Sequence, residues 1–140
     1  MGNWGSDQIA QEMNQLDQAF ANLIGVKPAH MRPPYLDTGG QVLPTLSSLG
    51  YTAVTNDVDS QDWNGFSADQ SKQVFQQAGP GNNGHIPLMH ETYASTVQDL
   101  TPWLIQWAGE NGLELVTVAD CLGVEPYQQT GLTGNGQNSC

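Results

Sequence analysis

Basic residues are nearly missing from this chain. Among 140 residues there are three Lys and Arg against fourteen Asp and Glu, a formal net charge of −11. A surface of that sign repels phosphate backbones and anionic lipid heads. It argues against nucleic-acid and membrane-surface roles and favours a neutral or cationic partner. Charge of either sign is thin, at 12% of residues, so Asn, Gln, Ser, Thr and Gly carry much of the polarity. No apolar run approaches the length of a membrane span. The start, Met1-Gly2-Asn3-Trp4-Gly5, has neither the basic region nor the apolar stretch of a secretory leader. The low lysine content and the Asn/Gln/Gly-rich end still have the look of a secreted protein, so an extracellular or cell-wall location is expected.

Cysteine is scarce too, with Cys121 and Cys140 alone. A bridge between them is expected. It would close a loop of about 18 residues, stabilise by roughly 3 kcal/mol and tie the tail to the domain. Two free thiols, or a partner for Cys140 outside the chain, are the alternatives. Several signatures are also absent. There is no Gly-x-Ser-x-Gly elbow, no P-loop and no Gly-x-Gly-x-x-Gly, which removes support for serine-hydrolase, nucleotide and dinucleotide readings. No two histidines have helix spacing, so no zinc site is legible from the residues themselves.

What is present suits one domain with a real core, since 38% of the residues are hydrophobic. The pattern alternates helix and strand. Ser6 or Asp7 is expected to cap a helix with Ile9, Met13, Leu16, Phe20 and Leu23 in one stripe, ended by Gly25. A short strand around 29–32 runs into Pro33 and Pro34, which hold the chain extended. A helix with Val42, Leu43, Leu46 and Leu49 follows, then a strand over 51–59. Ser67 and Gln70 form a capping box for a helix over 67–77. A strand over 84–90, a helix over 96–112 and a last strand over 113–120 complete the pattern. Such alternation with short links implies parallel strands covered by helices.

In parallel α/β proteins the chemistry gathers at the C-terminal ends of strands. Three stretches qualify: Arg32-Pro-Pro-Tyr35, Asp57-Val-Asp-Ser-Gln-Asp-Trp63 and Leu88-Met-His90-Glu91. Arg32 is either a surface arginine in a weak ion pair or a rigid guanidinium orienting a carboxylate. Asp57, Asp59 and Asp62 read as a solvated turn-rich loop or as partners for Arg32 or His90. A calcium loop is disfavoured, because the required glycine and closing glutamate are missing. Trp63 is core or a flat wall for a sugar ring. His90 is a structural residue or a general acid. His30 and His85 lie near strand starts. Trp103 and Trp107, four apart, read as packing.

Together these stretches resemble the polysaccharide deacetylases of carbohydrate esterase family four, especially fungal chitin deacetylase-like proteins. "MRPPYLDTGG" looks like the family's third motif, "DVDSQDW" like its fourth and "IPLMHE" like its fifth. The flanking "LSSLGYTAVTNDVDSQDW" and "LELVTVADCLG" match the usual surroundings, and the resemblance spans residues from about 6 to 124. It implies a distorted (β/α) barrel and metal-dependent removal of N-acetyl groups from chitin-like or related glycans, with a divalent metal, usually zinc. Arg32 would orient the catalytic-base aspartate, and the N–H of Tyr35 would help hold the oxyanion. His90 would protonate the leaving amine, with Asp62 tuning it. Trp63 and Leu88 would shape the groove and the acetyl pocket.

The departure is as informative. The family's first motif, a Thr-Phe-Asp-Asp-Gly-Pro type segment, and its second, a His-Ser/Thr-x-x-His segment, supply the base and the metal ligands. Neither occurs here, so no metal ligand is assigned and no cofactor is expected to be retained. "GNWGSDQIAQEM" looks like the stretch just after the second motif. The expectation is a C-terminal portion of a deacetylase-like domain over 1–127, an incomplete (β/α) barrel, with a flexible tail over 128–140. Such a chain is expected to be inactive alone, or to be a non-catalytic glycan-binding or interaction module. Its sheet would have an open apolar edge, covered by a second copy or by an N-terminal segment.

Overall fold

The structure, a computed structural model, describes residues 1–133. The chain divides into two compact units, Met1–Thr55 with the chain from Thr117, and Asn56–Val116.

The first unit opens with helix α1 (Ser6–Ile24). Its cap is Gly5 rather than Ser6 or Asp7. The Gly5 N–H donates to the Gln8 side chain at 3.1 Å, and Gly25 ends the helix in the left-handed conformation at φ +72°. Ile9 and Met13 are buried, while Leu16 and Leu23 stay more than half exposed. Leu16 and Phe20 instead line an open groove of about 600 Å³ with Met31 and Arg32. Strands β1 (Lys27–Pro28) and β2 (His30–Met31) follow, then helix α2 (Val42–Ser48) and strand β3 (Thr52–Ala53). Strand β2 pairs parallel with β3, His30 opposite Thr52 and Met31 opposite Ala53. Ile9, Met13, Val42, Leu46 and Tyr51 form the core of this unit.

The second unit holds strand β4 (Val58–Asp59), helix α3 (Ala68–Ala78), strand β5 (Pro87–Leu88), a π-helical turn (Thr96–Leu100) and helix α4 (Thr101–Glu110). Strand β4 pairs parallel with β5, Val58 opposite Pro87 and Asp59 opposite Leu88. The capping box on α3 forms as expected, with Ser67 Oγ accepting from the Gln70 N–H at 3.3 Å and Gln70 Oε1 from the Ser67 N–H at 2.9 Å. Val58, Phe75 and Leu100 make the core, with Trp103 and Leu104 against it. Trp103 and Trp107 stack at 5.9 Å between centroids, the packing role expected of them.

Two strand expectations are corrected. The expected strand over 51–59 is two short strands with different neighbours. The Val54 N–H donates to the Met31 carbonyl, whereas that of Asp57 donates to the Ile86 carbonyl. The expected last strand over 113–120 does not form. Residues 113–117 join no strand pair among the described residues, and Leu115 and Val116 are 67% and 53% exposed. Thr117 and Asp120 cap a short helix instead, α5 (Val118–Leu122). The local Thr-x-x-Asp cap prevails where no ladder holds the segment extended. Strand β6 (Tyr127–Gln129) then returns antiparallel to β1, so the expected tail from 128 begins inside a strand. Cys121 is exposed, and the expected bridge to Cys140 lies outside the described residues.

Candidate active site

Asp62 is the best-anchored polar side chain of the second unit. It opens a 3₁₀ turn, Asp62–Asn64, reached through Gln61 in the left-handed region at φ +59°. Its carboxylate is buried and accepts from four groups. Oδ1 receives the Trp63 N–H at 2.8 Å and His90 Nδ1 at 2.7 Å. Oδ2 receives the His90 N–H at 2.7 Å and the Thr96 hydroxyl at 2.9 Å. Burial by itself pushes the Asp62 carboxyl up. The bonds from the His90 ring, the His90 N–H, Thr96 and Trp63 outweigh it and hold the group below the ordinary carboxylate range. Asp62 is therefore ionised near neutral pH and only accepts, which places a proton on His90 Nδ1. The His90 side chain is 39% exposed, and its Nε2 has no hydrogen-bond partner among the described residues. That leaves one ring nitrogen to exchange a proton with a bound molecule.

Two residues that sequence reasoning passed over, Thr96 and Ser60, hold this pair in place. Thr96 sits on the π-helical turn, a rare local geometry that often marks functional sites. Ser60 is wholly buried; its Oγ accepts from the Asp62 N–H at 3.3 Å, and its carbonyl accepts the Ser71 hydroxyl at 2.7 Å. Buried serines and threonines carry no motif, so only the capping box at Ser67 pointed to this helix start. His85, read only as lying near a strand start, bonds Asp57 through Nδ1 at 2.7 Å and the Gly79 carbonyl through Nε2 at 2.9 Å. Burial pushes the Asp57 carboxyl up, but His85 and the Ile86 N–H bring it below its ordinary value. Trp63 is half exposed beside the pair, with Asp59 accepting from its indole. Leu88 is half-buried on β5, two residues before His90.

Arg32 and Tyr35 lie in the first unit. Arg32 Nη2 donates to the Thr55 carbonyl at 3.3 Å. Pro33 is fully buried and fixes the corner. Beyond it Tyr35 and Leu36 both take positive φ, +58° and +54°, and the Tyr35 side chain stands fully in solvent. Two consecutive side-chain-bearing residues in this region store strain of the kind found at ligand sites. The carboxylates named as possible partners for Arg32 make other bonds: Asp57 to His85, Asp59 to Gln61 and Trp63, Asp62 to His90 and Thr96.

The order of these pieces along the chain matches known proteins. A family model described as polysaccharide deacetylase matches residues 1–54. A chitin deacetylase of Pestalotiopsis sp is 36% identical over 117 residues, covering 82% of this chain and 39% of the relative. The chain belongs to the polysaccharide deacetylase family. A bifunctional xylanase/xylan deacetylase of Cellvibrio japonicus is 38% identical over 97 residues, 69% of this chain and 14% of that protein. The solved chitin deacetylase of the fungal pathogen Colletotrichum lindemuthianum aligns with a TM-score of 0.80 at 30% identity, covering 90% of this chain and 60% of that one. The fold is the α/β deacetylase fold, and the chain spans well under half the length of these two curated relatives.

The metal of this family does not fit the residues in hand. Among the described residues no group of three or more His, Cys, Asp or Glu is placed to hold an ion. The best-placed candidates are already committed, Asp57 with His85 and Asp62 with His90. Among the described residues no helix is long and apolar enough to cross a membrane.

Proposed function

We propose that this chain carries the proton-donating half of a carbohydrate deacetylase site. Hydrolysis of an acetamide requires an activated water, a hold on the oxyanion and a proton for the departing nitrogen. The Asp62–His90 pair suits the third task, and it is the observation that carries the reading. Asp62 fixes the ring and its tautomer, and Nε2 gives the proton to the leaving amine. Trp63 and Leu88 line the sugar groove. Arg32 orients the base aspartate of a complete site, and the strained turn at Tyr35 presents its N–H to the oxyanion. The substrate is an N-acetylated glycan of the chitin type, met outside the cell or in a cell wall.

The base and metal-ligand segments that the family calls for have no counterpart in this sequence. On this reading the chain by itself releases no acetate. The test is direct: incubate the protein with chitin oligomers, with and without added zinc, and measure acetate. No release above background is expected in either arm. Sustained turnover together with one tightly bound zinc per chain would overturn the reading. Acetylated xylan oligomers belong in the same assay, because one relative is named for xylan deacetylation.

A second reading rests on Trp63, whose indole is half in water beside the acid pair. A flat aromatic at that place serves a non-catalytic glycan-binding module equally well. Titration with chitin oligomers, followed by tryptophan fluorescence, separates the two. Binding without acetate release supports the module, and no response at millimolar sugar removes it.

A further inference from the structure

Asp59 ends β4 and is not needed for the proton-donating pair, yet its carboxylate is closely engaged. Oδ1 accepts the Gln61 N–H at 2.9 Å, and Oδ2 accepts Gln61 Nε2 at 2.8 Å. The Trp63 indole N–H is shared between both oxygens, at 3.2 and 3.1 Å. Asn64 Nδ2 in turn donates to Gln61 Oε1 at 3.3 Å. A simple turn-capping aspartate needs one oxygen and one backbone N–H two residues on. Here both oxygens are in use and the indole is held as well. An asparagine would keep Oδ1 but turn its NH₂ toward Gln61 Nε2, leaving the indole one uncharged acceptor in place of a shared carboxylate.

The clamp acts on a side chain that would otherwise be free. Trp63 is 52% exposed, so packing alone leaves its ring able to change rotamer. A ring that must be ordered on binding costs affinity, and one ordered beforehand does not. The same turn keeps Gln61 in the left-handed region, a strain that surrounding bonds must offset. We infer that Asp59 is a positioning residue for glycan recognition, holding Trp63 by its indole N–H so that the exposed ring face is set to receive a pyranose ring. The inference rests on the glycan reading above and extends it by naming what fixes the platform.

The experiment uses the full chain labelled with ¹⁵N and follows the backbone amide resonances of residues 59–64, together with the Trp63 indole resonance where tryptophan is present, during titration with chitin oligomers. Asp59→Asn is expected to weaken binding about five- to tenfold, the scale of one ordinary hydrogen bond, with little change in Tm. In a Trp63→Phe background, which lacks the N–H, Asp59→Asn is expected to add no further loss. Wild-type affinity in Asp59→Asn, or losses that add in the double variant, would overturn the inference. Hydrogen exchange of the indole N–H in the wild type needs no variant. Slower exchange than at the exposed Trp4 supports the clamp, and equal exchange overturns it whether or not Asp59→Asn folds. If the wild type shows a protected indole but no saturable shift with sugar, the clamp stands as geometry while the glycan reading and the role given to Asp59 both fall.

Discussion

At the residue scale, Asp62 accepts from four groups while almost wholly out of water. Asp62→Asn keeps the shape but turns an NH₂ toward at least one of those donors. The expected cost is about 1–3 kcal/mol, measured by urea unfolding at neutral pH. The pH dependence has a definite sign. Asp62 and Asp57 are held below the ordinary carboxylate range in the fold, so the unfolded chain takes up protons first. Their contribution is complete above the unfolded value of about 3.9 and is lost as pH falls through it toward the folded one. Acid titration of stability is expected to be shallower in Asp62→Asn than in the wild type, and parallel curves would count against the assignment. Tyr35 supplies a prediction of opposite direction. It sits in the left-handed region with no packing to lose, since its side chain is fully exposed. Asn tolerates that region better than Tyr. Tyr35→Asn is therefore expected to stabilise by a few tenths to about 1 kcal/mol, read from the denaturant midpoint.

At the scale of elements, the π-helical turn Thr96–Leu100 does two tasks at once. It presents Thr96 to Asp62 and sends Leu100 into the core beside Val58 and Phe75. Thr96→Val keeps the branched shape and removes only the hydroxyl, so a loss of about 1–3 kcal/mol is expected, and Thr96→Ser is expected to recover most of it. Loss of equal size in both variants would assign Thr96 to packing instead. This turn also marks where the sequence stopped being readable. Periodicity gives a helix over 96–112 with Val97, Leu100, Leu104 and Ala108 on one face; Leu100 and Ala108 are buried and Leu104 partly so, while Val97 is 48% exposed. It does not separate a π turn from an α-helix, because one extra residue per turn barely disturbs the apolar stripe. The capping box at Ser67, with both partners local, was legible in full. Asp62 meeting His90, 28 residues away, was one of several pairings that the residues left open, and the family resemblance singled it out. The strand over 113–120 misread for the reverse reason: its β-branched, apolar composition is real, but a strand needs a partner as well as a composition.

At the scale of the whole molecule, two properties oppose each other. The formal net charge of −11 drives copies of the chain apart. Leu115 and Val116 meanwhile present apolar surface on a segment outside helix and strand, and residues 113–117 take part in no strand pair among the described residues. Unpaired apolar backbone of this kind can be covered by another chain. Which effect prevails depends on screening. The Debye length is about 10 Å at 0.1 M salt and about 3 Å at 1 M, so repulsion between surfaces persists at low ionic strength and collapses at high. Apolar burial is not screened and is strengthened by excluded salts such as sulfate. Self-association is therefore expected to be weak in dilute buffer and to rise with added sodium sulfate, followed by sedimentation velocity. Leu115→Glu is expected to abolish the rise, because it places a charge on the segment itself. Association that weakens with salt, or that Leu115→Glu leaves unchanged, would assign the contact to charged groups elsewhere on the surface.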